Sequence, residues 1–309
     1  MFGVAGNSMD EILKKIIAEI MTNGEEYSPR NMLIREINGC HFRLDNPRNR
    51  IIYNPERRFS LTFALGEFLW YLAGKNDLET ILYYNGHYDR YSDDGQTLYG
   101  AYGKRIFGDD EKCQVDRIIE LLRKDKDTRQ AVISIYNSND NRNITKDVPC
   151  TCTLQFLIRN NRLNCITYMR SNDLILGTVN DIFSFTMLQE LVANEVGVEI
   201  GWYEHIAGSM HIYKEHYELA RKIFDVPLDR VYTMPNMPDN ARDKFQTLLK
   251  NEKIYRHNLS VGLQEFSDDY FKDLDNILKF LSYKKRGEKK LQEEIRERII
   301  KNYVGVIRG

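Results

Sequence analysis

The sequence predicts an α+β fold, a mixed or largely antiparallel sheet with helices packed against it. Three observations predict it. There are several β-branched runs of strand length, and several helix-length segments too apolar to lie on a surface. The two kinds follow one another in mixed rather than strictly alternating order. The chain has 309 residues. At about 150 residues per domain that allows one large domain or two small ones. No repeat or linker divides it, so a single domain over 1–309 is expected. With 42% hydrophobic and 29% charged residues, the composition is that of a globular protein whose core needs no disulfide or metal. Lys+Arg is 44 against Asp+Glu 45. No basic field draws the chain to nucleic acid or anionic membrane, and an anion site must gather arginines locally. No apolar run reaches the length of a membrane span, and no signal-peptide core precedes residue 15. Five scattered cysteines, an odd number, read as reduced thiols and a cytoplasmic location.

Along the chain, Ile12, Leu13, Ile16 and Ile20 recur at helical spacing and predict an amphipathic helix over 9–22. Asn38-Gly39 reads as a turn between extended segments, and 50–53 as a strand. Residues 59–73 are apolar on most sides and predict a buried helix capped by Gly74. A charged helix over 111–126 precedes a β-branched strand at 130–136. Strands follow at 153–158 and 163–169, joined by a turn at 159–162. A second buried helix is expected over 181–196, with Asp181 at its start, and further helices over 211–224 and 266–283. Residues 284–297 form a charged, solvated face.

Chemistry concentrates in 149–217. Cys150 follows a proline at a strand start, and near an arginine such a thiol is a candidate nucleophile. Its other reading is a small buried hydrophobe. Cys150 and Cys152 lack a second Cys/His pair at zinc spacing, so no metal is expected. Arg170-Ser171-Asn172-Asp173 is a compact polar cluster, followed by Asp181, His211 and Tyr213.

Taken together, these residues resemble the thymidylate synthase family. The resemblance rests on Pro149-Cys150, Gln155-Phe156, Tyr168-Met169-Arg170-Ser171-Asn172-Asp173, Leu176-Gly177 and His211-Ile212-Tyr213. Upstream, Glu67-Phe68-Leu69-Trp70, Tyr99-Gly100-Ala101-Tyr102-Gly103 and Asp127-Thr128-Arg129 extend it over about 28–225. Residues 226–309 are a divergent extension. The resemblance implies a three-layer fold, with the sheets of two subunits back to back in a homodimer with shared active sites. It implies two small-molecule partners, a pyrimidine nucleoside monophosphate and methylenetetrahydrofolate, and no metal. Cys150 would attack C6 of the base, Glu67 would organise water for proton transfers, and Tyr102 would assist removal of the C5 proton. Arg30, Arg129 and Arg170 would bind phosphate, Arg129 reaching across from the second subunit. Gln155, Ser171, His211 and Tyr213 complete the nucleotide site. Trp70, Tyr88, Asp173, Leu176 and Gly177 would face the folate.

Departures from the family pattern narrow the reading. Asp181 stands where the family places the asparagine that reads uracil. A carboxyl group sharing one proton with the base complements cytosine, which offers an acceptor at N3 and a donor at C4. The other readings of this stretch are Asp181 as a helix N-cap and a one-residue slip that puts Asn180 in its place. Thr151 replaces the histidine after the nucleophile, so the hydrogen-bond network behind the base is rebuilt. Tyr88 stands where the synthases carry a tryptophan, and the chain ends in an altered tail, 303–309. These departures resemble the cytidylate hydroxymethylases, in which water rather than hydride completes the reaction. Ser209 in place of an aspartate near the sugar leans the substrate toward CMP over dCMP. The rivals are a synthase methylating dUMP, a cysteine peptidase or acyltransferase using Cys150 and His211, and a non-catalytic nucleotide-binding module.

Overall fold

The computed structural model describes residues 2–108, 113–142, 144–228, 231–259, 261–299, 303 and 305–307. The N-terminal part runs β1 (Phe2–Gly6), α1 (Met9–Asn23), β2 (Glu25–Tyr27) and β3 (Ile34–Leu44). Helices α2 (Leu61–Leu72), α3 (Leu78–Tyr84), α4 (Tyr102–Phe107) and α5 (Gln114–Lys124) follow. The centre is β4 (Val132–Ser134), β5 (Thr151–Arg159), β6 (Arg162–Asp173), α6 (Thr178–Val196) and β7 (Glu199–Tyr213). The chain closes with α7 (Tyr217–Asp225), α8 (Ala241–Arg256), α9 (Asp269–Arg286) and α10 (Lys289–Arg298).

The strands form one mixed sheet in the order β1-β3-β7-β6-β5-β4, with β2 also paired to β3. β1 runs parallel to β3 and β6 parallel to β7; the other pairs are antiparallel. Burial alternates along β5. Leu154, Phe156 and Ile158 are buried under the helices, whereas Gln155 and Leu157 stay half-exposed on the other face. The α+β class and the helix-covered sheet are therefore as expected. α6 is apolar nearly all round because it is buried nearly all round, from Thr178 to Ala193.

Several elements differ from expectation. Asn38-Gly39 is not a turn: β3 runs through it, and the pairing with β7 skips Gly39, whose φ is +66°. A left-handed glycine there interrupts the ladder for one residue, with the register unchanged on either side, and the chain does not reverse. Residues 50–52 are buried and Tyr53 is half-buried, but they form no strand. Arg50 there turns inward to Glu190 instead of extending a ladder. Residues 211–213 complete β7, so the helix expected from 211 begins at Tyr217. The charged helix begins at Gln114, and 111–112 lie outside the described residues. The expected turn at 159–162 holds, with Asn160 and Asn161 both at positive φ (53° and 56°).

Candidate active site

The strand ladder brings Cys150 and Arg170 together. Cys150 lies just ahead of β5, and Arg170 on β6 donates its backbone N–H to the Cys150 carbonyl at 2.9 Å. The Arg170 guanidinium bonds the carbonyls of Val148 (2.8 Å) and Pro149 (2.9 Å) and reaches Cys150 Sγ at 3.6 Å. One cation thus both braces the loop and faces the sulfur. Even so, burial holds the Cys150 thiol above its ordinary range. Arg170 opposes that rise, and the carboxyls of Asp181 and Asp147 add to it.

Helices supply the other walls. Tyr102 opens α4, and its hydroxyl accepts the Thr151 N–H at 3.2 Å. A Cβ on the next residue, Gly103, would meet the Tyr71 backbone at 2.6 Å. The glycine therefore lets α4 close on α2, which carries Glu67. Glu67 is 4% exposed, and its Oε1 accepts from the Tyr88 hydroxyl. Burial pushes its carboxyl up to about 8, with the Tyr88 bond opposing and nearby Asp181 adding to the rise. Asp181 is 8% exposed and projects from the first turn of α6. Its Oδ2 accepts from Asn172 Nδ2 at 3.0 Å, and burial raises this carboxyl to about 7.

The helix boundary removes one reading of Asp181. α6 begins at Thr178, three residues before the expected start, and Gly177 is its N-cap. Asp181 therefore does not cap the helix. Asn180 turns back to the Leu176 carbonyl at 3.1 Å. Of the two neighbours, Asp181 is the buried one, bonded to Asn172 on the sheet, whereas Asn180 is half-buried.

At the rim, Asp173 Oδ1 accepts from the backbone of Ile175 (2.9 Å) and Leu176 (3.3 Å), leaving Leu176 43% exposed. An apolar side chain beside a carboxylate with an oxygen to spare suits a flat heterocycle that donates hydrogen bonds. His211 packs edge-on to Tyr213 with ring centroids 5.1 Å apart; its buried Nδ1 has no partner among the described residues. Arg30 is exposed, with a left-handed backbone (φ 51°), and its charge reaches both Cys150 and Tyr213. Ser171 pairs with Ser209 across β6 and β7. The Ser209 hydroxyl donates to Glu36 on β3, so a carboxylate still stands beside the position that lost its aspartate.

Two expected residues lie away from this group. Gln155 is on the half-open face of the sheet and donates to the Arg129 carbonyl at 3.0 Å. Strand alternation puts it opposite Leu154 and Phe156, so it does not join the pocket. Arg129 is exposed on the loop before β4. Trp70 is buried in a satellite cluster with Tyr71, Leu78 and Ile81, against which Tyr88 packs. In the tail, Tyr303, Val306 and Ile307 are buried, and the Val306 carbonyl accepts from Leu61 N at 2.8 Å at the start of α2. Residues 304, 308 and 309 lie outside the described residues. Asn172 enters the sequence reading only as part of the polar cluster at 170–173, and His205 and Tyr203 do not enter it. They form the buried network behind Asp181, and their only signal was polar residues inside strand-like runs. No group of three or more His, Cys, Asp or Glu side chains placed to hold a metal occurs among the described residues. No helix among them is long and apolar enough to cross a membrane.

Comparison with known proteins agrees with this geometry. The family model for thymidylate synthase matches residues 11–257, wider at both ends than the motifs at 28–225. A deoxyuridylate hydroxymethyltransferase of Bacillus phage SP01 is 31% identical over 294 residues, 90% of this chain and 76% of the phage protein. Proteins of the same description from Pseudomonas phage M6 and Delftia phage PhiW-14 are 37% and 31% identical. Each covers 73% of this chain, and the matches span 68% and 65% of the phage proteins.

Proposed function

Because this chain belongs to the thymidylate synthase family, we propose that it is a 5-hydroxymethyltransferase acting on a cytosine nucleotide, CMP before dCMP. Folate-dependent transfer of a one-carbon unit to C5 of a pyrimidine nucleotide is the family's chemistry, and methylenetetrahydrofolate is its co-substrate. When bound, the folate supplies a carbon at the oxidation level of formaldehyde. Asp173 and Leu176 would hold its ring, with Gly177 giving the backbone room beside it.

The observation that carries the base assignment is the buried carboxyl of Asp181, near enough to Cys150 to raise its thiol. As Cys150 Sγ adds to C6, negative charge builds on the ring at N3. A protonated Asp181 donates to N3 and accepts from the 4-amino group; after proton transfer it accepts from both. A carboxyl therefore matches cytosine in either proton state. Uracil is matched only while the carboxyl stays neutral.

Tyr88 supports the water outcome. Where the synthases present a tryptophan, its hydroxyl bonds Glu67. C5, made nucleophilic by the addition, forms the new C5–CH₂ bond; the C5 proton then leaves to water beside Tyr102, and the electrons of the C5–H bond release tetrahydrofolate. Once the carbon has parted from folate, C5 bears an exocyclic methylene. Water adds there, Glu67 takes its proton, and the ring electrons return to expel Cys150 Sγ from C6. The products are a 5-hydroxymethyl nucleotide and tetrahydrofolate. Arg170 and Arg30 serve the phosphate; His211 and Tyr213 serve the sugar. Arg129, exposed and away from Cys150, fits a role in the site of a second subunit. Ser171 lies beside the sugar strand.

The alternative is deoxyuridylate as substrate, which the descriptions of the three phage relatives favour. One experiment separates them. The protein is incubated with methylenetetrahydrofolate and CMP, dCMP, UMP or dUMP in separate reactions, and product mass and dihydrofolate absorbance are read. A cytosine nucleotide gaining CH₂O without dihydrofolate is expected. dUMP gaining CH₂O replaces the base assignment, and dUMP gaining CH₂ with dihydrofolate makes the chain a synthase. The active species should elute as two chains; an active monomer removes the shared site.

A further inference from the structure

Behind Asp181 runs a chain of buried hydrogen bonds. The Tyr203 hydroxyl lies 3.0 Å from His205 Nδ1, and His205 Nε2 lies 3.0 Å from Asn172 Oδ1. Asn172 Nδ2 reaches Asp181 Oδ2 at 3.0 Å. His205 is 0% exposed and stacks on Phe42 at 4.9 Å between ring centroids. A lone imidazole so enclosed stays neutral, with one N–H and one acceptor nitrogen. Asn172 Oδ1 can only accept, so the ring's proton sits on Nε2 and Nδ1 accepts from the Tyr203 hydroxyl. The Thr178 hydroxyl lies 2.7 Å from the same Oδ1. The Asn172 amide is therefore held with oxygen inward and nitrogen toward Asp181.

We infer that Tyr203, His205 and Asn172 are positioning residues that set the hydrogen-bonding polarity of Asp181 and so determine which pyrimidine base the site accepts. Asn172 makes Oδ2 a committed acceptor, so the carboxyl proton belongs on Oδ1. Asp181 then offers one donor and one acceptor in a fixed order. An unsupported carboxyl places its proton on either oxygen and satisfies the 3,4-edge of cytosine or of uracil equally well. The inference rests on the reading of Asp181 as the base-facing residue. Thr151 Oγ1 is buried without a partner among the described residues, so it does not carry the network.

The test is kcat/KM for CMP, dCMP, UMP and dUMP in the wild type and in Asn172→Ala, His205→Phe and Tyr203→Phe. Thermal melting checks that each variant is folded. The expected result is a fall in the ratio between preferred and rejected base of roughly ten- to hundredfold in N172A. Smaller falls are expected in H205F and Y203F, mostly from gain on the rejected base. In an Asp181→Asn background, where the amide fixes its own polarity, N172A should leave the ratio alone. An equal loss on both bases in all folded variants would mean a purely structural network and overturns the inference. If N172A does not fold, Y203F, which removes one hydroxyl, decides by the same ratio. A wild type that prefers uracil would overturn the cytosine assignment while leaving the network to be judged on that reversed ratio.

Discussion

Helix α6 carries two buried carboxyls, nine residues apart, that behave in opposite ways. Glu190 is clamped by cations: Arg48 Nε at 2.6 Å on one oxygen and the fully buried Arg50 Nη2 at 2.5 Å on the other. The Met237 N–H adds a third bond at 3.1 Å. Burial alone would raise this carboxyl, but the two guanidiniums hold it below its ordinary range. Asp181 is as enclosed, yet its side-chain partner is the neutral amide of Asn172, and it is raised to about 7. Glu67, on α2, has a neutral phenol as partner and is raised to about 8. Burial is common to all three; the charge of the partner divides them. A carboxyl paired with cations is a permanent anion and a structural clamp. One held by neutral donors keeps a proton it can give or take near neutral pH, which an acid–base site requires.

The largest expected effect follows from Glu67. Replacing it with glutamine keeps the shape and the contact with Tyr88 but removes the exchangeable proton. Turnover should fall by roughly 10²- to 10⁴-fold, while the melting temperature holds or rises. A turnover within a few-fold of wild type would place Glu67 with Glu190 as structure only.

Next comes the clamp. Glu190→Gln leaves Arg50, which is fully buried, without a counter-charge. Breaking a buried pair from one side costs about 3–5 kcal/mol, which urea denaturation should read directly. The variant that remains folded should retain its base preference. A stability change below about 1 kcal/mol would mean that water reaches Arg50, and the contrast within α6 would lose its basis.

Much of this division was legible in the sequence, and the rest had physical reasons not to be. Asp181, Glu67, Cys150 and Arg170 were visible because their motif neighbours are local in the chain. The clamp was not. Arg50 and Glu190 are 140 residues apart, and Arg50 sits in an apolar run that reads as strand. The same holds for β7: its central polar residues are paid for by His205 and Ser209 contacts on other strands, which periodicity does not register. α6 starts three residues before the point its sequence predicts, because Gly177 is an N-cap with no side-chain bond to announce it. Gln155 was assigned to the pocket by motif alone, although strand alternation turns it to the other face.

The smallest effect concerns pH and tests both halves of the contrast at once. Glu67 and Asp181 have folded values above those of an unfolded chain, where carboxyls titrate at about 4. Between about pH 4 and 8 the folded state holds protons the unfolded state has released, so these two groups make stability fall as pH rises. Glu190 has a folded value below its unfolded one. Its contribution is present above about pH 4.5 and is lost as pH falls through the lower folded value. His205, buried and held neutral below the ordinary imidazole range, works the other way up to about pH 6.5, so the wild-type urea midpoint should decline between pH 7 and 8. The decline should flatten in the double variant Glu67→Gln/Asp181→Asn and persist in Glu190→Gln. A slope that survives in the double variant would mean that both carboxyls are already ionised in the folded protein. Neutral partners would then be holding anions, and the proton that Asp181 offers the base would have to come from elsewhere.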